Sequence, residues 1–138
     1  MLIRQYQPEY ENEVIELWQK CNLTRPWNNP KLDIERKLKV DGELFLVGFM
    51  DDNVVATVMC GYEGHRGWVN HLAVDPDYRR KGLGRQMMEV VEDRLLDKGC
   101  PKINIQIRGD NTEAFKFYDK IGYKTEDIFS MGKRLVED

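Results

Sequence analysis

Apolar and polar residues alternate along this chain with two different periods, and each period predicts a different kind of element. In "KINIQIRG", which begins at Lys102, apolar residues occupy every second position, which is typical of a strand with one buried face. From Gly84 to Asp97 the apolar residues recur every four positions, which predicts an amphipathic helix. The chain therefore combines strands with helices.

The same periods, with proline, glycine and asparagine as breaks, predict the order β-α-α-β-β-β-α-β-α-β. The segments, in chain order, are an opening strand at 2–6, a helix from Pro8, a weaker helix in "KLDIERKLKV", a hairpin of "ELFLVGFM" and "NVVATVMCGY", the strand "WVNHLAV", the helix from Gly84, the strand "KINIQIRG", a helix in "DNTEAFKFYDKIGY" and a last strand, roughly Ile128 to Leu135. A hairpin set followed by strand–helix–strand implies an α/β fold with a mixed sheet and helices on both faces.

Composition narrows the class of protein. The 138 residues, 41% hydrophobic and 33% charged, suit a single globular domain over 1–138. No apolar run approaches the roughly 20 residues of a membrane helix, and a cytoplasmic location is expected. The net charge of −3 argues against general affinity for nucleic acid. Three widely spaced cysteines show no metal-binding pattern and suit a reducing compartment.

The turn Arg79-Arg80-Lys81-Gly82-Leu83-Gly84 lies between an apolar strand and the amphipathic helix. The first amides of a helix lack intrahelical acceptors, and the helix dipole adds partial positive charge there. Glycines let the backbone approach a ligand closely, and the surrounding cations suit a diphosphate. The spacing is neither a P-loop nor the three-glycine dinucleotide fingerprint. A solvated basic turn that begins a helix is the alternative interpretation.

Two separate motifs carry a resemblance to a known family. Arg79-x-x-Gly82-x-Gly84 matches the Gln/Arg-x-x-Gly-x-Gly/Ala loop of the GCN5-related N-acetyltransferase (GNAT) superfamily. The segment "DNTEAFKFYDKIGYK" is similar to a later motif of that family. Its matching residues are Asn111, Ala114, Tyr118, Gly122 and Tyr123. "CGYEGHRG" and "GCPKINIQI" further resemble a small bacterial subgroup named YpeA.

The resemblance implies an N-acetyltransferase that uses acetyl-coenzyme A. In this family a bulge splays the fourth and fifth strands of a mostly antiparallel sheet, and the pantetheine arm of the cofactor fills the gap. The implied cofactor-binding residues are Leu72, Ala73, Val74, Arg79, Arg80, Lys81, Gly82, Leu83, Gly84, Arg85, Asn111 and Phe117. Acetyl would pass directly to a primary amine of a small molecule or peptide, in a ternary complex.

The resemblance assigns the general acid more clearly than the base. Tyr118 matches the tyrosine that protonates the leaving sulfur, although packing on a helix face is the alternative. The family's fourth-strand base positions hold Asn70 and Trp68 here, and neither is a base. Strand alternation points His71 to the face opposite Leu72. Glu63 and His65, in the loop that enters the fourth strand, are the remaining candidates, acting through water. Glu63 is the one predicted as the base, although a solvated loop residue is the alternative interpretation for either.

The acceptor side is predicted in the first helices, their loop and the final strands. The residues expected to bind the acceptor are Arg25, Trp27, Tyr62, Arg66, Trp68 and Asn70. Their cations and aromatic faces would suit an amine that also carries a carboxylate or phosphate, although ordinary loop packing would use the same residues. No metal is expected.

Two further hypotheses accompany this interpretation. Because no strand base is evident, a non-catalytic module that binds acyl-coenzyme A as a regulatory ligand is the alternative function. Trp18, Phe129 and Met131 could also contribute to the surface of a homodimer.

Overall fold

The computed structural model describes all residues from Met1 to Asp138. It contains five strands and four α-helices, and three single turns of 3₁₀ helix connect them. The strands are β1 (Leu2–Gln5), β2 (Phe45–Met50), β3 (Asn53–Tyr62), β4 (Gly67–Val74) and β5 (Ile103–Ile105). The helices are α1 (Glu11–Lys20), α2 (Pro30–Lys39), α3 (Leu83–Asp97) and α4 (Thr112–Lys120). The mixed α/β class is confirmed.

The strands form one sheet in the order β1-β2-β3-β4-β5. Neighbours from β1 to β4 are antiparallel, and β5 runs parallel to β4. The predicted hairpin joins β2 to β3 through Asp51 and Asp52, whose φ angles of 50° and 65° are those of a tight two-residue turn. Short aspartate side chains tolerate this left-handed backbone better than most residues.

Helices α1 and α2 cover one face of the sheet. Trp18 of α1 and Ile34 of α2 share a buried cluster with Phe45, Met59 and Ala73 of the strands. Trp18 is 1% exposed, so its predicted part in a dimer surface is wrong. Trp18 instead packs its indole ring into the core between α1 and the sheet.

Helix α3 covers the opposite face with its predicted stripe, since Leu83, Met87, Val91 and Leu95 are all buried. It begins one residue earlier than predicted. At Gly67, where β4 starts, an added Cβ would lie 2.9 Å from Leu95 and 2.8 Å from Cys100. Only glycine therefore allows β4 to start this close to the end of α3.

The chain divides into two compact units by contact, Met1–Asn104 with Asp138, and Ile105–Glu137. The single domain over 1–138 stays a prediction. In the second unit the predicted last strand is wrong, because residues 121–138 contain neither strand nor helix. Phe129 is 98% exposed there and Met131 95%. Their apolar pattern resembles a strand, but β5 is itself only three residues long, and a strand needs a neighbouring ladder of hydrogen bonds.

Candidate active site

A bulge interrupts the pairing of β3 with β4. Thr57 lies opposite Ala73 and Met59 lies opposite Asn70, so β4 spans the same interval with one residue more than β3. His71 takes up this extra residue with a φ of 53°, in the left-handed region. The bulge expected from the resemblance is therefore present immediately before Leu72.

Thr57 satisfies the backbone that the bulge leaves unpaired. Its hydroxyl donates to the carbonyl of His71 at 3.1 Å and accepts the indole N–H of Trp18 at 2.9 Å. Thr57 has no exposed surface, so water cannot replace either bond. The helix α1, the strand β3 and the bulge of β4 are thus joined through one hydroxyl.

The bulge also changes which side chains share a face. Asn70 lies opposite Met59, a member of the α1–α2 core, and the His71 ring lies 4.5 Å from that of Trp18. Consecutive residues Asn70 and His71 therefore point to the same side. Alternation correctly predicts that His71 and Leu72 face opposite sides of the sheet. It also predicts opposite sides for Asn70 and His71, and that prediction is wrong because of the bulge.

Asp33 of α2 lies opposite the His71 ring, with its Oδ2 3.8 Å from Nε2. The other ring nitrogen, Nδ1, is buried and has no hydrogen-bond partner. Burial lowers the pKa of His71 below its usual value, and the Asp33 carboxylate opposes part of that shift. His71 is thus held neutral beside a carboxylate at neutral pH. Sequence analysis missed Asp33 altogether, since nothing in its helix marks it.

The start of α3 presents backbone amides without a side-chain cap. Gly82 precedes the helix with a φ of 75°, and no side chain accepts from the first turn, which contains no acidic residue. A Cβ at Gly82 would meet nothing within 4 Å, so the space beside it is open. Uncapped amides, open space beside Gly82 and no competing carboxylate fit the predicted diphosphate.

Cations surround this turn. Arg79, Arg80, Lys81 and Arg85 are exposed, and the Lys81 ammonium lies 5.6 Å from the ring centre of Tyr78. Arg80 has a φ of 66°, a strained value for a side chain of its size. The loop is therefore defined by an unusual backbone conformation as well as by its positive charge. The role of residues 79–85 in holding the cofactor stays a prediction.

The end of β4 is fixed to α1 beside the loop. The Arg79 Nε donates to the carbonyl of Val74 at 3.3 Å, and its Nη2 lies 3.9 Å from the Cys21 sulfur. Asp75, 6% exposed, accepts from Lys20 at 3.2 Å. The carbonyl of Val74, which the resemblance assigns to the pantetheine arm, is engaged by Arg79 in this structure.

The three cysteine thiols are free. Burial raises the pKa of Cys60 to about 11, and burial also raises that of Cys21. Cys60 and Cys100 are buried, whereas Cys21 is partly exposed. Neither Cys60 nor Cys21 is an activated nucleophile, because the reactive form of a thiol is the thiolate and a raised pKa disfavours it.

The loop before β4 carries the predicted base. The Glu63 carboxylate accepts backbone N–H bonds from His65, at 2.9 Å, and from Arg66. These bonds, with that of Arg66 the larger cause, lower the pKa of Glu63, which makes its carboxylate a weaker base. Its role stays a prediction, and the structure gives the carboxylate a structural task in its own loop.

The other predicted acceptor residues belong to the first unit. Tyr62 donates its hydroxyl to the carbonyl of Gly64 at 3.1 Å, and Arg66 donates to that of His65 at 2.9 Å. Trp27 and Trp68 are large aromatic residues left 48% and 39% exposed. The predicted set is completed by the half-buried Arg25 and the exposed Asn70. Alternation from Gly67 and the register of Asn70 put Trp68 on the face that α1 and α2 cover.

The second unit holds the remaining predicted residues. Asn111 caps the N-terminus of α4, where its side-chain oxygen accepts the N–H of Ala114 at 3.0 Å. Phe117 is half-buried and Tyr118 is 8% exposed. Burial raises the pKa of Tyr118 above its usual value, which keeps its hydroxyl protonated.

No group of three or more histidine, cysteine, aspartate or glutamate side chains is arranged to hold a metal ion. No helix has the length and apolar character needed to cross a membrane.

The sequence model described as "Acetyltransferase (GNAT) family" matches residues 4–123. An acetyltransferase of Yersinia pestis (strain Pestoides F) is 47% identical over 138 residues, which cover 100% of this chain and 98% of that protein.

Solved structures share the fold. Ard1 from Thermoplasma volcanium superposes with a TM-score of 0.75 at 26% identity, covering 88% of this chain and 80% of that one. The PaiA N-acetyltransferase from Thermoplasma acidophilum, solved in complex with coenzyme A, gives a TM-score of 0.72 at 20% identity over 93% of this chain and 92% of that one.

Proposed function

This chain belongs to the acetyltransferase (GNAT) family and transfers an acetyl group from acetyl-coenzyme A to an amine nitrogen, and we propose which of its residues carry out that transfer. One observation carries the assignment of the cofactor site. The first amides of α3 are uncapped, open to solvent at Gly82 and surrounded by exposed cations. Arg79 to Arg85 would hold the paired phosphates of the cofactor there.

The acetyl group passes directly from cofactor to amine. A covalent acetyl-enzyme would need an activated nucleophile, and burial raises the pKa of Cys60 and of Cys21. The amine nitrogen therefore attacks the thioester carbonyl in a ternary complex. Tyr118 is the proposed proton donor to the departing sulfur, on the strength of its place in the motif and its protonated hydroxyl.

The acceptor is a primary amine that also carries an anionic group. Arg25 and Arg66 would provide the cations for that group, and Trp27 and Trp68 would provide exposed aromatic faces. Tyrosine and tyramine differ only in a carboxylate, so they form a matched pair. We expect tyrosine to have the lower KM, and equal constants would contradict the anion preference.

Release of free thiol from acetyl-coenzyme A, measured over a panel of spermidine, tyramine, tyrosine and a tetrapeptide with a free N-terminus, tests the function itself. Gly84→Trp, at the second residue of α3, should abolish acetyl-coenzyme A binding by steric bulk. Glu89→Trp, at an exposed position of the same helix, is the matched control and should bind normally. Normal binding by Gly84→Trp would exclude this turn as the cofactor site.

We further propose that exposed apolar residues of the second unit, including Phe129 and Met131, form the surface of a homodimer, and that the protein works in the cytoplasm.

A further inference from the structure

His71 combines two features that cost free energy in a folded protein. A left-handed φ at a non-glycine residue is unfavourable by about 1–2 kcal/mol. A buried ring nitrogen without a partner adds a desolvation penalty. Either is rare, and a phenylalanine could pack against Trp18 without leaving a polar atom unpaired. Such outliers concentrate where function requires them.

The geometry leaves one polar atom of the ring within reach of a ligand. The His71 side chain is 19% exposed and that of Asp33 is 21% exposed. Because Nδ1 is buried, a ligand can reach only Nε2, which is also the nitrogen that faces Asp33. The two side chains thus present a nitrogen and a carboxylate oxygen to the same partly open gap.

The width of that gap fits a third polar group. At 3.8 Å, Nε2 and Oδ2 are too far apart for a direct hydrogen bond. A single ammonium nitrogen can lie about 2.8–3.0 Å from both and donate a separate N–H to each. A carboxylate attracts the cation, and a neutral imidazole can take its proton.

The location agrees with this use. Asn70, His71 and Trp68 lie on the same face of β4, and Leu72, the next residue after His71, is the one expected to contact the thioester. The α1 residue against the ring is Trp18 and the β3 residue at the bulge is Thr57, and neither ionises. Asp33 of α2 raises the pKa of His71 by its negative charge. Arg36, one turn later, interacts electrostatically with Asp33 and forms an ion pair with Asp138 at 2.9 Å.

We propose that Asp33 and His71 form the amine subsite of this enzyme, where Asp33 binds the ammonium of the acceptor and His71 is the catalytic base at Nε2. The proposal rests on the acetyl-transfer function given above. The ammonium loses one proton to Nε2, and its lone pair then forms the N–C bond to the thioester carbonyl. The C–S bond breaks and Tyr118 gives its proton to the sulfur. The second proton of the nitrogen replaces the one that Tyr118 gave, and His71 returns its proton to solvent.

Kinetics against pH test the base. His71→Asn removes the titrating ring and keeps a residue that tolerates a left-handed φ. With the amine of the panel that has the highest kcat/KM, we expect kcat to fall about 10²-fold and the acidic limb of its pH profile to disappear. The KM for acetyl-coenzyme A should stay unchanged.

Asp33→Asn gives a second readout that a structural role would not move. Asp33 raises the pKa of His71, so its loss should shift the acidic limb to lower pH, and the KM for the amine should rise about tenfold. Titration of the His71 ring by NMR should show the same downward shift without any substrate. Glu35→Gln, an exposed carboxylate of the same helix, is the matched control and should leave all three unchanged.

The chain has only one other histidine, His65, so an acidic limb caused by a histidine can be assigned to one of two residues. An acidic limb that survives His71→Asn and disappears in His65→Gln would overturn the proposal. So would an Asp33→Asn enzyme with unchanged amine KM and unchanged ring titration, a result that decides the matter even if His71→Asn does not fold. Failure of the unmodified protein to release thiol with every amine would instead count against the proposed function.

Discussion

The buried hydroxyl of Thr57 forms hydrogen bonds to both α1 and β4. Thr57→Val keeps the shape but leaves the Trp18 N–H and the His71 carbonyl without partners. We expect the free energy of unfolding to fall by about 2–4 kcal/mol, measured by urea denaturation.

Thr57→Ser is the control for that change, because it retains the hydroxyl and loses only a methyl group, at a cost of about 1 kcal/mol. If the valine variant proved as stable as the serine variant, the two hydrogen bonds would contribute nothing measurable to the bulge.

His71 shows where residue-by-residue prediction reached its limit. Alternation in the sequence correctly predicts that His71 and Leu72 face opposite sides of the sheet. Alternation alone cannot reveal that β4 contains an extra residue at a bulge. Because the bulge inserts its extra residue at His71, between the paired residues Asn70 and Ala73, Asn70 and His71 share one face. The partner, Asp33, is 38 positions away and carries no local signal, so only the folded chain brings the two together.

At the scale of elements, α3 is the one whose sequence and structure agree most closely. Its four-residue period is a local property, and the glycine before it fits a φ of 75° that most residues resist. The start of this helix after a glycine turn could therefore be predicted from the sequence. β5 could not, because the length of a strand depends on its neighbours, and its predicted eight residues become three.

Gly82→Ala tests the shape of the cofactor loop. A left-handed φ should cost an alanine about 1–2 kcal/mol, and relaxation of the strain would displace the first amides of α3. We expect the Kd for acetyl-coenzyme A, measured by calorimetry, to rise.

Gly99→Ala gives the matched comparison at the other end of the same helix, where φ is 87° and a Cβ would likewise meet nothing within 4 Å. Its loss of stability should be similar and its Kd unchanged. Equal affinity in the two variants would mean that the backbone shape at Gly82 does not matter for the cofactor.

At the scale of the whole molecule, apolar exposure is concentrated in the second unit. Ile128, Phe129, Met131 and Leu135 are each at least 70% exposed. Contiguous exposed apolar side chains mark interaction surfaces. The double change Phe129→Ser with Met131→Ser should therefore shift the protein toward monomer in sedimentation velocity.

Leu2→Ser together with Leu96→Ser serves as the control, because both leucines are exposed apolar residues of the first unit. A sedimentation profile that is the same for the unmodified protein and for both double variants would argue against the proposed homodimer.

Cys21 has a practical consequence for anyone who works with this protein. Its sulfur is partly exposed and lies beside Arg79, while the other two thiols are buried. A maleimide dye applied at mildly alkaline pH will label this position first, without any engineered attachment point. If Arg79 binds the cofactor as proposed, the emission of that dye will change in real time as coenzyme A binds and dissociates.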